Sequence, residues 1–285
     1  MVEEIKKMIL VLGAKGMLGQ ELTKIFGKQA IGWDRGDCDV TDVDNLKLKI
    51  FELKPSAIIN CVAYNDVDGA EENKQLAFKL NAEVVGNLAS IAKELGIPLV
   101  HFSSNYVFDG EKGEYKEQDV PNPISVYGKS KYEGEQQLIA NTDKYFLVRT
   151  SVLFGLKGQS GQSKKSFVEL MLDLASKGSG VKAVDEEINS LTYVVDLASQ
   201  IKLLLSQDHP FGIYHITNSG QGSWYKFAKE IFDTKGIKVS LKPVTRAEFP
   251  RKALTPKKAD LINTKLPPLR PWQDALKEYL ETYVL

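Results

Sequence analysis

A wholly apolar run, Met8-Ile-Leu-Val-Leu12, breaks into Gly13-Ala-Lys-Gly16-Met-Leu-Gly19, and Met17, Leu18, Leu22, Ile25 and Phe26 then recur at helical spacing until Gly27. An uninterrupted apolar strand is buried on both faces, so it demands a sheet with helices packed on each side. The glycines are spaced three and three. The first permits a tight turn, the second lets the backbone close on a pyrophosphate, and the third lets the helix pack on the strand. The helix start at Gly16, Met17 and Leu18 supplies N–H groups and positive potential for that phosphate. Asp34 ends the next strand about twenty residues on, where a carboxylate takes the ribose hydroxyls of an adenosine. Arg35 beside it suits a 2′-phosphate, which leaves NAD and NADP both open as the dinucleotide. Asp39 and Val40 fall where the adenine would rest.

The alternation of strand and helix continues beyond this unit. Strands are expected at Ala30–Trp33, Ala57–Asn60, Leu99–Ser103 and Phe146–Arg149, and helices at Val43–Leu53, Ala70–Leu95 and Ser125–Ile139. Right-handed crossovers then give an α/β fold, a doubly wound parallel sheet of Rossmann type over residues 1–150, with residues 1–7 as a polar lead-in. Residues 151–285 read as a smaller C-terminal α/β substrate lobe. Polar loops lie at Gly155–Lys165 and Lys177–Asn189, helices at Phe167–Ala175 and Val194–Leu205, and a strand at Ile213–Ile216, with residues 191–214 packing back on the first domain. Ser223 is the expected N-cap of a helix over Trp224–Phe232.

Tyr127-Gly-Lys-Ser-Lys131 puts a tyrosine and a lysine on one helix face. A free phenol titrates near 10, too high for efficient proton transfer at neutral pH. An adjacent ammonium is expected to lower that value, and the same lysine can reach the nicotinamide ribose. The pair follows the fourth strand, whose C-terminal end carries Ser103 and Ser104, and ligands of doubly wound sheets bind beyond the C-terminal strand ends. A serine hydroxyl there can hold a substrate carbonyl.

These segments, with Asn60-Cys-Val-Ala-Tyr-Asn-Asp-Val-Asp-Gly-Ala-Glu71, Asn81-Ala82, Phe102-Ser-Ser-Asn-Tyr-Val-Phe-Asp-Gly110, Arg149-Thr-Ser-Val-Leu-Phe-Gly155 and Tyr214-His-Ile-Thr-Asn218, resemble the extended short-chain dehydrogenase/reductases. Within them the chain is most similar to the dTDP-4-dehydrorhamnose reductases. The resemblance implies Ser104, Tyr127 and Lys131 as the catalytic set. It places Asn60, Val62, Ala63, Tyr64 and Asn81 beside the cofactor, and Val67, Asp68 and Glu71 at the start of the substrate wall, with Asn105 and Val152 on the substrate side. The substrate would be a nucleotide-activated 4-keto deoxysugar, reduced with NADPH or NADH. Several substrate-side residues depart from the family pattern. Ser103-Ser104-Asn105 replaces Ser-Thr-Asp, and Val152 replaces a tryptophan. Leu191 and Thr255 stand in two segments that usually read differently. Some members place a magnesium ligand at the position of Glu21, but the segment around Leu191 lacks the matching carboxylate, so no metal is expected.

Two other readings fit parts of the pattern: a nucleotide-sugar epimerase or dehydratase of the same superfamily, and a non-enzymatic NADP-binding subunit resembling the β subunit of methionine adenosyltransferase. Lys+Arg and Asp+Glu both number 37 among 285 residues, which argues against nucleic acid as a partner. Cys38 and Cys61 form no metal or disulfide pattern. With no apolar run near the length of a membrane span and no signal-like N-terminus, a cytoplasmic protein without a membrane partner is expected, and a homodimer is allowed. His101 and His215 sit on apolar strands and are read as core residues.

Overall fold

The computed structural model describes residues 8–161, 164–178 and 180–282, so the lead-in read at residues 1–7 lies outside the described residues, as do positions 162, 163 and 179 within the two polar loops. The first half runs β1 (Ile9–Leu12), α1 (Met17–Phe26), β2 (Ala30–Trp33), α2 (Val43–Leu53), β3 (Ala57–Asn60), α3 (Val67–Glu72), α4 (Lys74–Phe78), α5 (Val84–Leu95), β4 (Leu99–Ser104), α6 (Val126–Asn141) and β5 (Tyr145–Thr150). The second half runs β6 (Leu153–Phe154), α7 (Phe167–Ser176), β7 (Val181–Val184), β8 (Ile188–Asn189), β9 (Thr192–Tyr193), α8 (Val194–Ser206), β10 (Gly212–His215), β11 (Asn218–Ser219), β12 (Gly222–Ser223), α9 (Trp224–Lys235), β13 (Leu241–Val244), β14 (Leu269–Pro271) and α10 (Trp272–Thr282).

The central sheet has six strands in the order β2-β1-β3-β4-β5-β10, and every pairing is parallel. The chain leaves β1 toward β2 on one side and toward β3 on the other, which makes the β1/β3 boundary the switch point where such sheets open a crevice. One apolar layer joins Leu18, Leu22 and Phe26 of α1 to Val194, Leu197 and Ile201 of α8. The opposite layer joins Leu46 and Ile50 of α2 to Val84, Val85 and Leu88 of α5. Helices therefore cover both faces, as the apolar strands require.

The single helix expected from 70 to 95 is broken. Asp66 caps α3 by accepting from the Gly69 N–H at 3.1 Å, and Asn73 Nδ2 turns back to the Gly69 carbonyl at 3.0 Å, which ends it. A π-helical turn, Lys79–Glu83, then joins α4 to α5. In the second half Ser223 does cap α9, accepting from the Lys226 N–H at 3.0 Å. There β7 pairs with β13 and α7, α9 and α10 close a separate core around Phe154, Phe227, Trp272 and Tyr279. No helix among the described residues is long and apolar enough to cross a membrane.

Candidate active site

The glycine turn is built as the spacing requires. Gly13 has φ +74°, and its N–H and that of Ala14 donate to the Trp33 carbonyl at 2.8 and 3.1 Å, joining the turn to the end of β2. No side chain caps α1 and its first turn carries no acid, so its N–H groups and positive end suit an anion. A Cβ on Gly19 would stand 2.1 Å from the Gly13 carbonyl oxygen, so only glycine lets helix and turn close. The Asp34 carboxylate accepts from the Lys15 N–H at 3.0 Å, which holds it against the turn. Exposed Arg35 follows it. These residues fit the pyrophosphate and adenosine ribose of a dinucleotide. Asp39, in contrast, turns to Thr41, whose backbone N–H and hydroxyl hold its carboxyl below the usual range. Val40 packs into the core on the α2 side.

Gly19→Ala is expected to weaken dinucleotide binding about ten- to a hundredfold, since overpacking of this kind costs roughly 1–3 kcal/mol. A cofactor fluorescence titration, with thermal melting as the folding control, checks it.

Across the switch point, several residues expected beside a ligand spend their polar groups on building the site. Asn60 Oδ1 accepts from the Val62 N–H at 3.0 Å, shaping the turn that carries Val62, Ala63 and Tyr64. Asn81 brackets Tyr64, accepting from its N–H at 2.8 Å and donating to its carbonyl at 3.1 Å, and it donates to Ser130 Oγ of α6 at 2.9 Å. Glu71 accepts from the Val126 N–H at 2.9 Å, which ties α3 to the start of α6. Asn105 is buried; its Nδ2 donates to Asn189 Oδ1 at 2.9 Å and to the Ala259 carbonyl at 3.0 Å, which ties β4 to two distant segments. Val152 has φ +35°, a conformation strained for a β-branched residue, and it packs against the core of the second half. Asn105 is therefore engaged within the fold, whereas Val152 stays partly exposed beside that core.

Ser104, Tyr127 and Lys131 do converge. Ser125 caps α6 through the Gly128 N–H at 3.1 Å and starts the helix one turn before Tyr127. The Ser104 hydroxyl lies beside the Tyr127 phenol, and Tyr106 stands edge-on to Tyr127 with ring centroids 5.8 Å apart. Lys131 Nζ donates to the Phe102 carbonyl at 2.6 Å. Burial pulls the Lys131 ammonium down to about 8, against the charge of Glu135 one turn on. Burial pushes the Tyr127 phenol up, with the Ser104 hydroxyl opposing. The expected depression of the phenol by the lysine is thus absent from this structure, because the phenol is desolvated and the ammonium is engaged at a backbone carbonyl. His101 and His215 are fully buried, and desolvation keeps both neutral. Burial likewise raises the Cys61 thiol, which leaves it unreactive.

Sequence reasoning missed the pair beneath Lys131. Arg149 and Glu135 form a buried two-bond fork, Nε to Oε1 at 2.9 Å and Nη2 to Oε2 at 2.7 Å. Glu135 lies four residues beyond Lys131, so the helix spacing that paired Tyr127 with Lys131 would have found it. Arg251, which reaches the Tyr106 hydroxyl from the far end of the chain, left no such local trace.

The model of a family described as the RmlD substrate binding domain matches residues 7–285. A dTDP-4-dehydrorhamnose reductase of Aggregatibacter actinomycetemcomitans is 36% identical, covering 94% of this chain and 97% of the relative. The spore coat polysaccharide biosynthesis protein SpsK of Bacillus subtilis is 34% identical, with 96% of each chain covered. A crystal structure of the dTDP-4-dehydrorhamnose reductase of Bacillus anthracis in complex with NADP superposes with TM-score 0.92 at 33% identity, covering 98% of this chain and 100% of that one. A UDP-glucose 4-epimerase of Thermus thermophilus shares the fold, with TM-score 0.79 at 18% identity over 96% of this chain and 97% of that one.

Proposed function

The chain belongs to the RmlD substrate binding domain family, and from that membership we propose that it is an NADPH- or NADH-dependent reductase of the 4-keto group of a nucleotide-activated deoxysugar, namely a dTDP-4-dehydrorhamnose reductase. The observation that carries the reading is the burial of Ser104, Tyr127 and Lys131 together beyond the C-terminal end of β4, with Tyr127 and Lys131 one turn apart on α6. Gly13, Gly16 and Gly19 with the N–H groups of Met17 and Leu18 hold the pyrophosphate, and Asp34 and Arg35 hold the adenosine end. A bound nicotinamide supplies a hydride for the carbonyl carbon. Ser104 donates to the carbonyl oxygen and orients it. Tyr127, kept neutral by burial, donates its proton to that oxygen as negative charge develops. Lys131 can turn from the Phe102 carbonyl toward ribose hydroxyls and the phenolate left behind. The same reading places the protein in the cytoplasm, with a nucleotide-sugar as its small-molecule partner.

Oxidation of NADPH and NADH is followed spectrophotometrically against dTDP-4-keto-rhamnose and other nucleotide-linked 4-keto sugars. Turnover of at least one is expected. Tight dinucleotide binding with no turnover of any would overturn the reading in favour of a binding subunit.

A pH dependence follows from Lys131. Its ammonium in the ligand-free chain titrates near 8, and hydrogen bonds to ribose favour the charged form, so the bound state titrates higher. Between the two values binding takes up a proton, and affinity must fall as pH rises. Dinucleotide Kd is expected to be flat below about pH 8 and to rise above it, with the inflection lost in Lys131→Met; calorimetry across pH reads both.

A further inference from the structure

A row of ion pairs runs along α3, the helix whose Ala70 packs with Tyr106 and Tyr127. Asp66, Asp68 and Glu72, at the start of and along α3, each meet a basic residue from the second half of the chain. Lys164 Nζ lies 2.8 Å from Asp66, Arg251 donates to Asp68 Oδ2 through Nε and Nη2 at 3.1 Å each, and Lys252 pairs with Glu72. The Ala253 N–H donates to the other Asp68 oxygen at 3.0 Å, so residues 251–253 are fastened as a strap to one carboxylate. All three pairs remain substantially exposed. Such pairs add little to stability and are cheap to exchange for another anion.

Arg251 reaches deeper than the two lysines. Its guanidinium also faces the Tyr106 hydroxyl, and the Tyr106 ring is the one set edge-on to Tyr127. The groups facing it are Asp68, Tyr106 and the Glu187 carboxylate. Both donated N–H groups converge on a single oxygen, an arrangement that a phosphate oxygen reproduces with greater charge.

We propose that Arg251 anchors the diphosphate of the nucleotide-sugar, and that Asp68 is a built-in carboxylate that occupies the arginine until the diphosphate displaces it. The proposal rests on the reductase reading for the identity of the anion. On exchange, a phosphate oxygen takes the Nε and Nη2 hydrogen bonds while Asp68 keeps the Ala253 N–H, so the strap stays seated as its arginine changes partner. Lys164 and Lys252 stand on either side to balance the added charge. Asp68 then competes with the substrate, the reverse of the direct substrate contact that its place in the sequence suggested.

The two roles give opposite signs on removing its charge. dTDP binding is measured by calorimetry on the full chain saturated with NADPH. Arg251→Met, which keeps the apolar stem, is expected to weaken dTDP about tenfold or more, the scale of a lost charge-assisted bidentate contact. Asp68→Asn is expected to tighten it several-fold, and both variants should keep the wild-type NADPH Kd. Wild-type dTDP affinity in Arg251→Met, weaker binding in Asp68→Asn, or a shift confined to NADPH would each overturn the anchor. The gain in Asp68→Asn cannot come from damaged folding. If the variants shift dTDP binding as expected but no 4-keto sugar is reduced, the anchor stands and the reductase reading falls. If the sugar is reduced and Arg251→Met leaves its KM unmoved, the reverse holds.

Discussion

Replacing Tyr127 by phenylalanine should lower kcat about 10²- to 10⁴-fold, the range over which a positioned proton donor contributes, while the dinucleotide Kd stays within a few-fold. The phenol is buried beside Ser104, and its ring packs against Ala70 and edge-on to Tyr106. Phenylalanine preserves those ring contacts and deletes only the proton. An interaction made solely as charge develops on the carbonyl oxygen lowers kcat and kcat/KM together. Steady-state kinetics with a direct titration of cofactor separates this from a binding defect, and a variant with near-normal kcat would remove Tyr127 from the proposed role. Ser104→Ala should cost less, because Tyr127 can still reach the oxygen that the serine orients.

The second large effect is expected in stability. Arg149 and Glu135 are each almost wholly buried, and Arg149 also donates to the Glu117 carbonyl at 3.3 Å and lies 5.2 Å over the Phe108 ring. Removing one partner leaves the other as an uncompensated buried charge, so Arg149→Met or Glu135→Leu should each destabilise the fold by about 3–5 kcal/mol. The double substitution should cost far less than the sum, since desolvating two ions is then avoided as well. Denaturant unfolding of the four proteins gives the coupling energy, and strict additivity would refute it. Glu135→Gln carries a second readout. Glu135 raises the Lys131 ammonium against burial, so losing its charge should move the inflection in dinucleotide binding to lower pH.

Much of the cofactor half was legible because its signals are local. Three glycines, the apolar run before them and Asp34 after them lie within one β-α-β unit, and the hydrogen bond from the Lys15 N–H to Asp34 closes that unit on itself. Tyr127 and Lys131 were legible for the same reason, since four residues on a helix bring side chains together whatever the rest of the chain does. The break of the helix between Glu72 and Val84 was not, because no proline or glycine marks the π-helical turn. What holds that region is the Asn81 side chain, bridging residues seventeen and forty-nine positions away.

The substrate side divides along the same line. Sequence alone determined which residues could make a glycine turn, a doubly wound parallel sheet and a tyrosine–lysine helix face, since turn conformation and apolar periodicity depend on neighbours a few residues apart. Tertiary structure alone decided what the polar side chains around them do. Asn105 is spent on Asn189 and Ala259, Glu71 on the start of α6, and Asp68 on Arg251, 183 residues along the chain. A carboxylate or amide brought near a buried site must find a partner there or pay for its desolvation, and the available partner is set by which distant strand or strap the fold delivers to it.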